Sequence, residues 1–235
     1  NQLLHQRRRL AELGLAVSKI NHDLRNMLTS AQLISDRLSE LPDPSVQRFA
    51  PKLIASLDRA IKFCNETLRF GRAEEAAPRR ELFPLAALAE EVGDGLGLPR
   101  QGIAWNVEIA PTLLVDADRD QLFRVLNNLG RNAVQALEAH RFADGETGEI
   151  TVRARRDGRV TVIEFADNGP GVPARARDNL FQAFKGGARK GGSGLGLAIS
   201  AELIRAHGGA ITLVGAGPGA TFGITLPDRE LPPSP

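Results

Sequence analysis

Disulfide chemistry has nothing to work with in this chain, whose 235 residues include a single cysteine, Cys64. One thiol excludes an internal disulfide framework and leaves no cysteine spacing that could hold a metal. Long apolar runs are missing as well. None approaches the roughly 18 residues that a membrane-spanning helix needs, and no signal peptide is visible. Nor is there an excess of charge of one sign: 30 basic and 28 acidic residues leave a formal net charge of +2. That near balance argues against nucleic acid as a partner. What remains is an ordinary globular composition, 42% hydrophobic and 25% charged, able to bury a core in one large domain or two modest ones. The chain starts at Asn1, without a methionine, in residues that already read as helix. The expectation is a soluble, cytoplasmic piece of a longer protein, with no direct membrane contact of its own.

Leu10, Leu13, Val17, Ile20, Leu24, Met27, Ala31, Ile34, Leu38 and Leu41 recur at alternating steps of three and four. Such a seam, held for more than four heptads, predicts a coiled-coil or bundle helix. "LPDPS" (41–45) stops it, because two close prolines do not continue a helix. A second helical pattern through Ile54, Leu57, Ile61, Cys64 and Leu68 ends near Gly71. Two seamed helices form a hairpin with too little core to stand alone, so it should pair with a second copy in a four-helix bundle. The predicted organisation is a helical domain over 1–72, a linker over 73–80, a second domain over 81–228 and a disordered tail over 229–235.

The second domain alternates strand and helix. "LFPLAALAEEVGDGL" reads as a short strand and a helix, and "IAWNVEIA" as a strand. A long helix follows the capping-type acids Asp116 and Asp118. A hairpin turns at Asp157-Gly158, and a glycine-led helix and two closing strands complete the domain. The expected fold is a two-layer α/β sandwich, with helices on one face of a mostly antiparallel sheet.

Three clusters here carry chemistry. Asn128 and Asn132 lie four residues apart on one helix face, and amide oxygens are hard ligands suited to Mg2+. Alone, the pair fits a solvated helix face equally well. In "DNGPGVP" an apolar strand ends at Asp167, and Gly169 and Gly171 permit close backbone approach. A carboxylate there could accept a hydrogen bond from an adenine amino group, although a plain turn would look the same. In "GGSGLGLAIS" glycines lead into a helix whose free N–H groups face a phosphate. This is neither a dinucleotide fingerprint nor a P-loop.

In this order, Asn-x-x-x-Asn, Asp-x-Gly-x-Gly and Gly-x-Gly-x-Gly resemble the Bergerat (GHKL) ATP-binding fold over about residues 80–228. "LFQAF", with Phe181 and Phe184, resembles the phenylalanine box of its histidine-kinase branch. "GPGATFGITLP", with Thr221, resembles that family's closing strand pair. The resemblance implies ATP and Mg2+ as cofactors, with Asn132 and Asn128 at the metal. It also implies an ATP lid from about Val172 to Gly192, where Lys185, Arg189 and Lys190 meet the phosphates. Gly192, Gly194, Leu195 and Gly196 then complete the phosphate end.

"HDLRN" at 22–26 is similar to the phosphoacceptor box of a bacterial sensor histidine kinase, in its dimerisation and histidine-phosphotransfer domain. On the heptad, His22 falls opposite the seam and is exposed. The resemblance implies that His22 takes the phosphoryl group, that Asp23 activates it, and that Asn26 positions water for dephosphorylating a partner. Many members carry proline where this chain has Met27, so its helix is expected to be straighter. The partner implied is the receiver domain of a response regulator. Two alternatives share the nucleotide motifs: a phosphatase-dominant or phosphotransfer scaffold with little kinase activity, and a Bergerat-fold ATPase clamp, a class that lacks the heptad hairpin with His-Asp-x-x-Asn. His5, His140 and His207 have no matching context and are expected to be structural or solvated.

Overall fold

The computed structural model describes residues 27–38, 41–71, 77–100, 102–140, 142, 146–182, 195–215 and 218–229, the side chains at 45, 59 and 61–71 excepted. The chain divides into two units. One comprises Asn1–Glu75 with Ala188–Leu195, the other Ala76–Gly187 with Gly196–Pro235.

In the first unit, α1 (27–38) and α2 (Pro44–Gly71) are separated by the short break at 41–43. The second helix begins inside the very stretch that ends the first. Pro44 tolerates a first-turn position because its missing N–H would have no helical partner there. Asp43 supplies the cap, accepting from the Val46 N–H at 3.2 Å. Pro51 lies within α2 without ending it. Gln32 on α1 donates to Asp58 on α2 at 2.6 Å, tying the two helices together. Met27, Ile34, Leu38 and Leu41, the seam positions predicted apolar, are 68%, 60%, 42% and 47% exposed in the single chain. Leu10, Leu13, Val17, Ile20 and Leu24 lie outside the described residues, as do the side chains of Ile61, Cys64 and Leu68.

The second unit runs β1 (Glu81–Pro84), α3 (Leu85–Gly95), β2 (Ile103–Glu108), β3 (Leu114–Ala117), α4 (Arg119–Glu138), β4 (Gly148–Asp157), β5 (Val160–Asp167), α5 (Ala174–Arg177), α6 (Gly196–Ala206), β6 (Ala210–Gly215) and β7 (Ala220–Pro227). Five strands form one sheet in the order β2-β4-β5-β7-β6, antiparallel except for the parallel β2–β4 pair. Helices α3, α4 and α6 pack on this sheet and on one another. Alternation along the strands explains why: Ile150 and Val152, Ile163 and Phe165, and Phe222, Ile224 and Leu226 are all buried in one core with Leu122, Leu126 and Leu129 of α4. The result is the predicted two-layer α/β sandwich.

Four details depart from the sequence expectations. "LVDA" forms β3, pairing antiparallel with β1 in a separate two-stranded sheet. Only Asp118 caps α4, accepting from the Gln121 N–H at 3.0 Å. Asp116 is instead a strand residue, 4% exposed, paired with Arg80 and Arg229. The β4–β5 turn occupies Gly158 and Arg159, since Asp157 still pairs with Val160. Gly158 takes φ +58, which glycine adopts without strain. Finally, Arg229 is not frayed. Its N–H donates to Asp116 at 2.9 Å and its carbonyl accepts from Arg159 at 3.1 Å. Residues 230–235 lie outside the described set.

His207 is structural. It is buried, its Nε2 accepts from the Asp118 N–H at 2.9 Å, and its Nδ1 donates to the Leu203 carbonyl at 2.8 Å. The ring therefore joins the end of α6 to the start of α4.

Candidate nucleotide-binding site

Helix α4 is the spine of the site. Its apolar face enters the core, which leaves Asn128 and Asn132 partly exposed on another face. The Asn128 amide N–H donates to Ser200 Oγ of α6 at 2.9 Å. Gly196, the first residue of α6, lies against the same amide, and any Cβ there would collide with Asn128 Oδ1. The glycine is required because the asparagine occupies the space. Asn128 thus aligns α6, while Asn132, one turn along, is partly exposed.

The second cluster forms at the end of β5. Asp167 Oδ1 accepts from the Gly169 N–H at 2.9 Å, a tight turn that brings the backbone back beside the carboxylate. A Cβ at Gly169 would lie 3.4 Å from Leu137 and 3.7 Å from Ala136, both on α4. The turn therefore rests on the C-terminal half of the same helix whose middle meets α6. Gly171 is buried just beyond it. Thr221 on β7 pairs in register with Ala166, one residue before Asp167.

Phe181 packs edge-on against Phe222 of β7, with ring centroids 6.4 Å apart at 81°. Leu195 is fully buried. The other expected site residues, His22, Asp23, Asn26, Phe184, Lys185, Arg189, Lys190, Gly192 and Gly194, lie outside the described residues. Ser200 was missed by sequence reasoning, although its position one turn after Gly196, within an apolar helical run, was a signal. Asn168 and Gly219, both against the Asp167 turn, were missed too.

The donor set suits a magnesium nucleotide. Amide oxygens are hard ligands, glycines 169 and 196 leave room where a side chain would intrude, and the first turn of α6 offers N–H groups with no helical partner. Among the described residues no group of three His, Cys, Asp or Glu side chains could hold a metal by itself.

Residues 117–230 match the family model described as histidine kinase-, DNA gyrase B-, and HSP90-like ATPase. Fold and motifs together define an ATP-binding domain of that class. Over 230 residues the chain is 32% identical to the sensory histidine kinase/phosphatase NtrB of Escherichia coli O157:H7, an alignment covering 91% of this chain and 62% of that protein. The chain thus spans less than two thirds of that relative's length. Among solved structures, full-length ShkA in complex with AMPPNP is 29% identical with a TM-score of 0.71, covering 92% of this chain and 46% of that one. Histidine kinase ThkA in complex with response regulator protein TrrA is 25% identical with a TM-score of 0.67, covering 95% of this chain and 64% of that one. The chain belongs to the two-component sensor histidine kinases, and it is a catalytic core of that family.

Proposed function

We propose that this core autophosphorylates His22 from Mg-ATP and passes the phosphoryl group to an aspartate of a response regulator. The carrying observation is that α4 alone supports both nucleotide clusters, Asn128 against Gly196 and Ser200, and Leu137 against the Asp167–Gly169 turn. Asp167 accepts from the amino group of the base. The N–H groups at the start of α6, with Lys185, Arg189 and Lys190 of the lid, hold the phosphates. Asn132 is the principal Mg2+ ligand, and bound Mg2+ would neutralise phosphate charge.

Asp23 accepts the proton of one His22 ring nitrogen, leaving the other with its lone pair directed at the γ-phosphorus. A nitrogen–phosphorus bond forms as the bond to the ADP oxygen breaks, and ADP departs with the electron pair. Positioning and charge neutralisation carry such a transfer. The imidazole then leaves in turn when the receiver carboxylate attacks. Asn26 orients water for the reverse, dephosphorylating capacity. NtrB, described as a kinase/phosphatase, and ThkA, seen with a response regulator, favour a core that does both.

The helical domain, 1–72, is proposed to dimerise as a four-helix bundle, because its seam leaves Met27, Ile34, Leu38 and Leu41 uncovered in one chain. The linker is assigned to 73–80. A cytoplasmic location is proposed as well; among the described residues no helix is long and apolar enough to cross a membrane.

Incorporation of γ-labelled phosphate tests the reading. An acid-labile, alkali-stable label is expected on the native protein and is expected to be lost in His22→Gln and in Asn132→Ala. Only the asparagine variant should lose Mg-ATP binding. Undiminished labelling of His22→Gln would overturn the assignment.

A further inference from the structure

The turn that carries Asp167 is enclosed on three sides. Toward α4, Gly169 rests near Leu137 and Ala136. Toward β7, Gly219 approaches so closely that a Cβ would collide with the Asp167 carbonyl and come within 3.1 Å of the Asn168 Cα. Gly219 also holds φ +93, so a side chain there is excluded twice over. Both contacts are contacts of shape, made by missing side chains, and they limit where the turn can go. Asp167 itself ends β5, paired with Ile150 of β4 and Ala220 of β7.

On the third side the residue after Asp167 is fastened by hydrogen bonds. The Asn168 side chain accepts from the Glu149 N–H at 2.7 Å and donates to the Thr147 carbonyl at 3.0 Å, while its own N–H donates to the Glu149 carbonyl at 3.2 Å. Three hydrogen bonds thus fasten one residue to Glu149 of β4 and to Thr147 just before the strand. The anchor is itself braced, because Glu149 Oε1 accepts from Asn106 of the neighbouring strand β2. Asn168 uses the acceptor and the donor of its amide on two different backbone groups, a combination available to asparagine and not to aspartate. The residue clamped in this way is the one that follows Asp167 and precedes Gly169, whose N–H bonds the Asp167 carboxylate.

We infer that Asn168 is the positioning residue for base selection at this site: by clamping the turn to β4 it sets the direction of the Asp167 carboxylate, and so the preference for adenine over guanine nucleotides. The inference rests on the proposed reading of Asp167 as the partner of the adenine amino group. Guanine presents a carbonyl oxygen at that place, which a well-aimed carboxylate repels. A carboxylate freed to swing accommodates either base, so loosening the clamp should cost selectivity before it costs catalysis.

The experiment uses the full chain and compares native protein with Asp167→Asn, Asn168→Ala and Asn168→Asp. Autophosphorylation is measured with ATP and with GTP, alongside thermal melting. For Asn168→Ala the expectation is a KM for ATP raised about tenfold, a narrowed ratio of ATP to GTP use, and kcat within about twofold of native, as lost ground-state binding requires. Asn168→Asp keeps the acceptor for Glu149 but sets a carboxylate oxygen against the Thr147 carbonyl in place of the donor, so it should narrow the ratio as well; if the alanine variant does not fold, it decides the question. Unchanged selectivity in a folded Asn168 variant overturns the inference, and so does a kcat that falls in step with melting temperature. If Asp167→Asn binds ATP as native does, the reading of Asp167 itself fails. If Asp167→Asn loses ATP while Asn168→Ala keeps native selectivity, the inference alone fails.

Discussion

The two units treat their apolar residues in opposite ways. In the nucleotide-binding unit Leu126, Ile163, Phe165 and Ile224 are at most 1% exposed, shared between helices and sheet in one closed core. In the helical unit Leu33, Ile34, Phe49 and Leu53 are 62%, 60%, 59% and 48% exposed. Two helices have too little facing surface to cover such stripes, whereas a sheet offers a whole face to three helices. One unit closes its core within a single chain, and the other, among the described residues, leaves an apolar stripe exposed.

The largest test of this contrast is the double substitution Ile34→Lys with Leu38→Lys. Charges on the seam cannot be buried without a partner, so sedimentation should show a dimer becoming a monomer. Nucleotide contacts of Asn132 and Asp167, which lie in the other unit, should stay near native. A dimer that survives would break the comparison. Phe165→Ala probes the opposite side. Its ring packs edge-on with Trp105 at 5.9 Å in the closed core, and losing it should cost about 3–5 kcal/mol by urea unfolding while leaving the association state unchanged.

The smallest effect lies at the sheet edge, where Arg153 Nε donates to Glu108 at 2.6 Å across the parallel β2–β4 pair. That hydrogen bond, with the charge of Arg153, holds the Glu108 carboxyl below the usual carboxylate range and raises the guanidinium. A depressed carboxyl pKa contributes stability above the unfolded value and loses it as pH falls through the folded one. The melting difference between native and Glu108→Gln should therefore be small near neutrality and vanish in acid. Both groups are exposed, which keeps the effect slight.

Much of the architecture was legible. The period-two strands of "EITVRARRD" and "VTVIEFAD", the cap at Asp118 and the glycine-led start of α6 are written locally because periodicity and capping act over a few residues. β3 was not legible: four residues with an acid among them carry little pattern, and pairing with β1 across some thirty positions makes the strand. Asp116 looked like a cap because its burial depends on Arg80 and Arg229, both distant in sequence. The hairpin slipped by one residue because Asp157 and Gly158 both suit turns, and only the pairing of Asp157 with Val160 decides between them.

The candidate site divides in the same way. Asn128, Asn132, Asp167, Gly169 and Gly196 announce themselves by order and spacing, since each motif must present its groups from one short segment. Their partners do not. Ser200 reaches Asn128 across seventy-two positions, and Gly219 meets Asp167 across fifty-two. The sequence by itself determined the helical seam, the strand alternation and the ordered nucleotide motifs, all products of short-range repetition. Only the tertiary structure decided which amide would brace which helix, which acid would be buried, and which glycines had to lack a side chain. Those outcomes depend on the space left by residues far along the chain.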